Sequence, residues 1–335
     1  MNFVEKNEEP REQELISVVL AAYNCESYVG EAIDSILGQS YSSIELLVAD
    51  DASTDRTRAV IDAYSDPRIR RCHNDQNLGY LRTANKLMAQ ATGDFICFQD
   101  ADDWSSADRL EAQLAFIREH HLDACGTGIS FVDPEGNVQE EKIYPRDQAV
   151  ILENELRIDQ SISYGSIMFS RAVYEAVGGY REFFAFGVED YDWGMRVIQK
   201  FRFMNLQKIC YFYRYLPGSI TSSVNILKQK SSLRLANELA KERSGGNLDQ
   251  LELGMSDSVK KRWDDIFAEL NRHPLAEDIN RINRLLRRHA RKEGIDVCLQ
   301  AMKKDVGFSP KLTIVALTLL KLTIGMKNYE RIKWK

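Results

Sequence analysis

Segments typical of buried β-strands alternate with segments typical of amphipathic helices in the first third of this 335-residue chain. The runs "LISVVLAAYN" (15–24) and "IELLVADD" (44–51) are almost continuously apolar, and each is followed by apolar residues at helical spacing. Such runs indicate strands that are buried on both faces. Their alternation with helices predicts βαβ units, and therefore an α/β fold with a mainly parallel sheet and helices on both faces.

The same pattern predicts individual elements as far as residue 121. Strands are expected at 15–24, 44–51, 69–72 and 94–99, and helices at 26–39, 53–65, 80–93 and 105–121. We expect Ser53 or Thr54 to cap the second helix and the fourth helix to begin at Ser105. A hairpin with its turn at 133–137 follows, and segments within 161–215 complete the domain.

Charge divides the chain into an acidic part and a basic part. Residues 1–225 carry 21 Lys and Arg against 36 Asp and Glu, whereas residues 226–335 carry 23 against 14. We therefore predict a flexible leader at 1–13, an α/β domain at 14–225 and a basic helical region at 226–335. The leader lacks the apolar core of a signal peptide. The six widely spaced cysteines indicate reduced, mostly buried thiols in a cytosolic protein and no zinc site.

Polar residues lie at the ends of three of the predicted strands. Asn24 ends the first strand, Asp50 and Asp51 end the second, and "DADD" (100–103) follows the fourth. Because ligands of parallel sheets bind at the carboxyl ends of the strands, we expect these residues to converge on one rim. The carboxylates of "DADD" repel one another, so their charge must be dispersed by a cation or by water and a helix N-terminus. In the second case they only adjoin or cap the helix expected at Ser105.

Six short motifs occur in order along the α/β domain. They are "AAYN" (21–24), "ADDASTD" (49–55), "NLGYLRTAN" (77–85), "DADD" (100–103), "VEDYDW" (188–193) and "YRYLPGSIT" (213–221). This series resembles the family 2 glycosyltransferases of the GT-A fold, over residues 14 to 223. The resemblance implies that the α/β domain is catalytic. It would transfer a sugar from a nucleotide sugar to an acceptor hydroxyl, with inversion at the anomeric carbon.

The resemblance implies that "DADD" is the DXD motif of that family, which binds a divalent metal held by the donor diphosphate. Asp102 would be the metal ligand, Asp100 would reach the ribose or the metal through water, and Ala101 would belong to the nucleotide-sugar site. Carboxylate oxygens suit Mn²⁺ or Mg²⁺, and such a metal offsets charge on the departing nucleoside diphosphate. Relatives often have a histidine where this chain has Leu216. The metal would then be held by Asp102, diphosphate and water.

In the family, an aspartate at the second motif hydrogen-bonds the nucleotide base. Asp51 matches that role first and Asp50 second, and a carboxylate that accepts the N3–H of uracil favours a UDP-sugar. The alternative is a surface turn. The rest of the nucleotide-sugar site would comprise Ala22, Tyr23, Asn24 and Arg82.

The motif "VEDYDW" supplies the catalytic base under this resemblance. An inverting transferase needs a carboxylate that accepts the proton of the acceptor hydroxyl as the hydroxyl attacks. Asp190 would take this role, and Glu189 would orient the acceptor or a neighbouring helix. Asp192 is expected to face elsewhere. Both acidic residues also suit the first turn of a helix.

The basic region has two interpretations. The basic amphipathic segment 279–294 and the apolar run 312–325 indicate a helix at the surface of the cytoplasmic leaflet. The alternative is a helix packed on the catalytic domain, or a dimer contact. A membrane position would suit a polyprenyl-linked glycan acceptor, as in the synthesis of polysaccharide, lipopolysaccharide or capsule. We expect a cytoplasmic protein, peripheral on the inner membrane under the first interpretation, with no nucleic-acid partner.

Two other functions compete with this interpretation. A sugar-nucleotide pyrophosphorylase would need a glycine-rich loop with basic residues after the first strand, and "AAYNCESY" (21–28) has neither. A non-catalytic scaffold at the membrane would keep the fold and the basic helices without needing Asp190. Donor hydrolysis with and without Mn²⁺ distinguishes the three.

Overall fold

The computed structural model describes residues 13–185, 187–216, 225–272, 275–287, 291–304 and 308–324. The chain forms two compact units. The first contains residues 1–185, 189–222 and 243–246, and the second contains residues 186–188, 223–242 and 247–335. The predicted domain boundary at residue 225 stays a prediction, as does the flexible leader, since residues 1–12 lie outside the described part.

Nine strands in the described residues of the first unit form one sheet. They are β1 (Ile16–Ala22), β2 (Ile44–Asp50), β3 (Ile69–Arg71), β4 (Phe95–Phe98), β5 (Trp104–Ser105), β6 (Ala124–Val132), β7 (Val138–Lys142), β8 (Met168–Ser170) and β9 (Phe203–Arg214). Their order is β3-β2-β1-β4-β8-β6-β9-β5, and β7 pairs with β6. The strands β1, β2, β3, β4, β6 and β9 run in one direction, because β8 is antiparallel to both β4 and β6.

Helices flank this sheet in the first unit. They are α1 (Val29–Leu37), α2 (Thr57–Asp62), α3 (Tyr80–Gln90), α4 (Arg109–His120), α5 (Gln148–Leu156), α6 (Arg171–Val177) and α7 (Glu189–Lys200). The predicted α/β fold with a mainly parallel sheet is therefore confirmed, and so is the hairpin, which joins β6 to β7.

The core of the sheet lies along β1, β2 and β4. Every residue of β2 and of β4 is buried, as the nearly continuous apolar runs predict. The register pairs Ile16 with Ile44 and Ala22 with Asp50. The two strands therefore end at the same level, and the polar residues that follow them emerge side by side.

Two predicted helix starts are wrong, and tertiary hydrogen bonds are the reason. The helix expected from residue 53 begins at Thr57, because the hydroxyls of Ser53 and Thr54 bind Asn24 in the neighbouring loop. The helix expected at Ser105 begins at Arg109, because residue 105 pairs with β9 as part of β5. The acidic loop 100–103 therefore does not cap that helix.

The second unit is helical in its described residues, as predicted. Its helices are α8 (Ile226–Glu242), α9 (Ser256–Leu270), α10 (Ala276–Arg287), α11 (Arg291–Ala301) and α12 (Phe308–Ile324). Helices α10, α11 and α12 share a small apolar core that contains Leu275, Ile282, Leu286, Val297, Cys298, Ala301 and Ile314. None of the helices in the described ranges is long and apolar enough to span a bilayer.

Part of the apolar segment of α12 packs in this small core. Ile314 is buried in it, and Val315 and Leu322 pack against it. Lys321, which interrupts the apolar run, is 4% exposed and donates a hydrogen bond to the side chain of Asn283. The amphipathic pattern of these helices therefore reflects packing among them as well as any outer surface.

Candidate active site

Three loops meet at the carboxyl ends of β1, β2 and β4, as the sequence predicts. The backbone N–H of Asp51 donates to the carbonyl of Ala22 at 2.8 Å, and the N–H of Thr54 donates to Oδ1 of Asn24 at 2.8 Å. The thiol of Cys25 lies 3.2 Å from the carbonyl of Ala101. The loops after the three strands therefore hold one another in place and form a continuous rim.

The acidic loop 100–103 concentrates buried negative charge on this rim. Burial raises the pKa of Asp102 to about 6, and the neighbouring Asp100 carboxylate adds to the rise. Burial and the charges of Asp102 and Asp100 hold the pKa of Asp103 well above its ordinary range. Burial also raises the pKa of Asp100. Each carboxylate thus bears a cost of ionisation that a bound cation would offset.

Arg214, at the end of β9, lies directly against this acidic loop. Its Nε donates to the carbonyl of Asp102 at 3.0 Å, and its backbone N–H donates to Oδ1 of Asp103 at 2.7 Å. Oδ2 of Asp103 is buried and has no hydrogen-bond partner among the described residues. This buried carboxylate oxygen therefore has acceptor capacity left.

The two aspartates at the end of β2 have different surroundings. Asp51 accepts hydrogen bonds from the side chain of Asn74 at 2.8 Å and from the backbone N–H groups of Leu78 and Gly79 at 2.9 Å each. Asp50 accepts only from the N–H of Ser53 among the described contacts, with 3.3 Å to either oxygen. Asp51 therefore holds the loop before α3, while Asp50 has more acceptor capacity left.

The other predicted nucleotide-sugar residues lie in varied positions. Tyr23 is 48% exposed on the rim, and Asn24 beside it has a positive φ of 47°. The side chains of Ala22 and Ala101 belong to the core, so only their backbone atoms face the rim loops. Arg82 is exposed and forms an ion pair with Glu182, with 2.9 Å between Nη2 and Oε2.

Helix α7 brings the predicted base toward the acidic loop. Burial raises the pKa of Asp190 to about 6, and the charge of Asp100 contributes, so the two carboxylates lie within electrostatic range. Burial raises the pKa of the Tyr180 hydroxyl well above its ordinary range, and the charges of Asp190, Glu189 and Asp100 add to the rise. Glu189 is itself only 8% exposed. The structure thus brings Glu189 and Asp190 together with the loop after β4.

Asp192 faces away from the acidic loop, as predicted. It is fully buried and forms ion pairs with Arg181 and Arg196, at 3.2 Å to Nε of Arg196. The hydroxyl of Tyr191 donates to the carbonyl of Glu155 at 2.9 Å. These contacts fix the first turn of α7 and so determine where Asp190 points.

The donor set on the rim fits a hard divalent cation. Among the residues that the structure describes, no three His, Cys, Asp or Glu side chains are placed to hold a metal ion between them. Mg²⁺ commonly takes one or two protein carboxylates and completes its shell with substrate phosphates and water. The raised pKa of Asp102 and the buried, unbonded oxygen of Asp103 are consistent with such an ion.

Sequence reasoning missed several residues that shape this site. Tyr211 on β9 and Tyr80 at the start of α3 both contact the carboxylate of Asp100. Arg214 and the buried Glu155 were also missed. Tyr80 and Arg214 belong to quoted motifs and Tyr211 lies within the segments 161–215, but nothing in the local pattern shows which side chains reach the acidic loop.

The family model and the most similar curated proteins all describe glycosyltransferases. Residues 17–178 match the family described as Glycosyl transferase family 2. EpsE of Bacillus subtilis (strain 168), assigned as a glycosyltransferase, is 36% identical over 205 residues, which cover 59% of this chain and 72% of EpsE. The Escherichia coli UDP-Glc:α-D-GlcNAc-diphosphoundecaprenol β-1,3-glucosyltransferase WfgD is 36% identical over 108 residues, which cover 32% of this chain and 43% of WfgD.

Solved structures share the fold. The S. aureus TarS 1–349 complex with UDP-GlcNAc has a TM-score of 0.58 at 20% identity, over 84% of this chain and 88% of that chain. The mannosyltransferase PcManGT from Pyrobaculum calidifontis, in complex with GDP-Man and Mn²⁺, has a TM-score of 0.52 at 16% identity, over 92% and 80%. The likeness confirms the predicted fold.

We expect the variant Asp102→Asn to be more stable than the wild type at pH 7.5, by about 3 kcal/mol. The pKa of Asp102 is about 6 in the folded chain and 3.8 ordinarily, so stability falls as the pH rises from about 4 to about 6. Neutral asparagine does not bear this cost. Urea unfolding at pH 7.5 and at pH 4 measures the difference, which should vanish at pH 4.

Asp108→Asn is the matched control. The pKa of Asp108 is lowered because Lys208 donates a hydrogen bond to it, so its loss should give no gain in stability. An Asp102→Asn variant that is less stable than the wild type at pH 7.5 would show that the acidic loop is not under electrostatic strain.

Proposed function

The chain belongs to glycosyl transferase family 2, and we propose that it is a metal-dependent, inverting glycosyltransferase that uses a UDP-sugar. Glycosyl transfer in the synthesis of polysaccharides or polyprenyl-linked glycans is supported by its relatives. The observation that carries the finer proposal is the meeting of the acidic loop 100–103 with Asp190 on one rim of the sheet. The acceptor is a hydroxyl of a glycan or of a polyprenyl-linked glycan.

A divalent metal, Mn²⁺ or Mg²⁺, would be held by Asp102 together with the donor diphosphate. When bound, it would offset negative charge on the departing nucleoside diphosphate. The Mn²⁺ in the PcManGT complex supports this cofactor class. Relatives often have a histidine at the position of Leu216, which is the last described residue of its segment. The side chain of Leu216 has no atom that could bind a metal.

Recognition of the uracil base would fall to Asp50 more readily than to Asp51. Asp51 already accepts three hydrogen bonds from the segment 74–79, whereas Asp50 accepts only long ones from Ser53. Tyr23 is exposed beside them and would cover the base. UDP in the TarS complex and UDP-Glc in the name of WfgD support a uridine donor.

Asp190 would accept the proton of the acceptor hydroxyl as the hydroxyl attacks the anomeric carbon. Burial keeps its pKa near 6, which makes it a stronger base than an ordinary aspartate yet leaves it ionised at neutral pH. Glu189, beside it on the first turn of α7, would orient the acceptor. Attack from the side opposite the diphosphate inverts the anomeric configuration.

Family membership argues against a pyrophosphorylase. The retained Asp102 and Asp190 argue against a non-catalytic scaffold. Hydrolysis of UDP-sugars measured with and without Mn²⁺ tests both points, since a scaffold would release no UDP in either condition.

We further propose that the protein works at the cytoplasmic face of the membrane and docks on anionic lipid through α11. Ile295 and Leu299 on this helix and Met302 just after it are 41%, 57% and 36% exposed, at the spacing of one helical face. Residues 279–304 carry eight Lys and Arg against two Asp and Glu. Apolar side chains flanked by basic residues are typical of helices that lie in a lipid interface.

We predict that Asp102→Asn lowers the affinity for UDP in the presence of Mn²⁺ at least about tenfold, the scale of one lost charge-assisted contact. Affinity without Mn²⁺ should change little. Isothermal titration calorimetry on the folded variant measures both. Wild-type affinity in the presence of Mn²⁺ would contradict the assignment of Asp102 to the metal.

We predict that Asp190→Asn keeps its affinity for UDP but loses at least about 10²-fold in kcat, because no carboxylate then accepts the proton. In the wild type, kcat should fall as the pH drops through about 6, where Asp190 becomes protonated. Unchanged turnover in the variant would move the role of base to Glu189.

We predict that the protein floats with phosphatidylglycerol vesicles at low salt and that Ile295→Glu with Leu299→Glu releases it. Each exposed side chain adds about 1 kcal/mol of apolar burial, and glutamate is repelled by the anionic surface. Leu253→Glu, at a site that is also 57% exposed, is the control and should stay bound. Absence of flotation of the wild type would exclude the lipid partner.

A further inference from the structure

The carboxylate of Asp100 is held from two sides by tyrosine hydroxyls that belong to distant parts of the first unit. The hydroxyl of Tyr211 lies 3.1 Å from Oδ2 of Asp100, and the hydroxyl of Tyr80 lies 3.4 Å from Oδ1. The Tyr211 hydroxyl also accepts the backbone N–H of Asp100 at 3.1 Å. One phenol therefore fixes both the backbone and the side chain of the first aspartate in the acidic loop.

Tyr211 is itself rigidly placed. It lies on β9, is 1% exposed and packs with Ile129 and Tyr144 in a small buried cluster. The guanidinium of Arg109, which is fully buried, lies 5.0 Å from the centre of its ring. A phenol held in this way has few rotamers to lose, so its hydroxyl is a fixed reference point for Asp100.

Gly165 closes the third side of the same carboxylate. A Cβ at this position would lie 2.8 Å from Oδ2 of Asp100 and 3.0 Å from the hydroxyl of Tyr211. Only a residue without a side chain leaves room for the contact between the tyrosine and the aspartate. The packing therefore allows the carboxylate of Asp100 little freedom to turn.

We propose that Tyr211 is a positioning residue, which fixes the carboxylate of Asp100 in the orientation in which it would meet the donor ribose or the water around the metal. Tyr80 assists at a longer distance. The inference rests on the proposed function, because it assumes that the acidic loop is where the donor binds. It goes further by naming the group that determines the direction of Asp100. Preorganisation of this kind strengthens binding because the ordering cost is met before the ligand arrives.

The first test measures UDP binding with saturating Mn²⁺ by isothermal titration calorimetry. Tyr211→Phe keeps the ring and removes only the hydroxyl, and we expect at least a tenfold loss of affinity. Tyr80→Phe should lose less. Tyr213→Phe, two residues along β9 and packed on Phe131, is the matched control and should stay within twofold of the wild type.

The second test asks whether Tyr211 acts through Asp100. A double-mutant cycle combines Tyr211→Phe with Asp100→Asn and measures the folded-to-unfolded ratio in urea without ligand. We expect Tyr211→Phe to lower this ratio about tenfold in the wild-type background and less than threefold in the Asp100→Asn background. This coupling is measurable even if a variant no longer binds UDP.

The outcomes separate the alternatives. Coupling without a loss of UDP affinity would make Tyr211 a structural residue only and overturn the inference. Loss of affinity without coupling would show that Tyr211 acts through another group, such as Asp103, and would overturn it as well. A wild-type protein that does not bind UDP with Mn²⁺ would overturn the proposed function, and the inference with it.

Discussion

The buried guanidinium of Arg214 is the contact on which the acidic rim depends. It is placed between the rings of Tyr28 and Trp104, at 4.6 and 4.7 Å from their centres. From there its nitrogens donate to the carbonyls of Asp102 and Pro134 and to the carboxylate of Glu31. Arg214 thus joins α1, the loop after β4 and the hairpin turn around one positive charge.

This arrangement explains how repelling carboxylates are held together in the absence of a ligand. Arg214 lowers the pKa of Asp102, but burial and Asp100 outweigh it, and the net direction is upward. The loop is therefore held in place by its backbone contacts while its carboxylates stay strained. A ligand with compensating charge would relieve this strain when it binds the folded chain, and that relief would favour binding.

The sheet could be predicted from the sequence because its signals are local. Buried strands show as continuous apolar runs, and the polar residues after them fall on one rim whatever the details of the packing. The helix starts at Ser53 and Ser105 could not, since Ser53 binds Asn24 in another loop and residue 105 pairs with β9. Nor could the contact between Tyr211 and Asp100, which lie 111 residues apart and are brought together by the pairing of β9 with β5 and β6.

The same argument applies to the helical second unit, where an amphipathic pattern does not say what covers the apolar face. Ile282 and Leu286 on α10 pack against Val297 and Cys298 on α11, so the apolar face of α10 is largely buried inside the unit. The side of α11 with Ile295 and Leu299 keeps its exposure after this packing is complete. An apolar face that stays exposed after the helices have packed together is better evidence for an outside partner than an amphipathic sequence pattern. Among the described residues, such exposed apolar side chains include Ile295 and Leu299 on α11 and Leu319 on α12, so the faces that the helices leave uncovered, and not the length of an apolar run, determine the surface available to a partner.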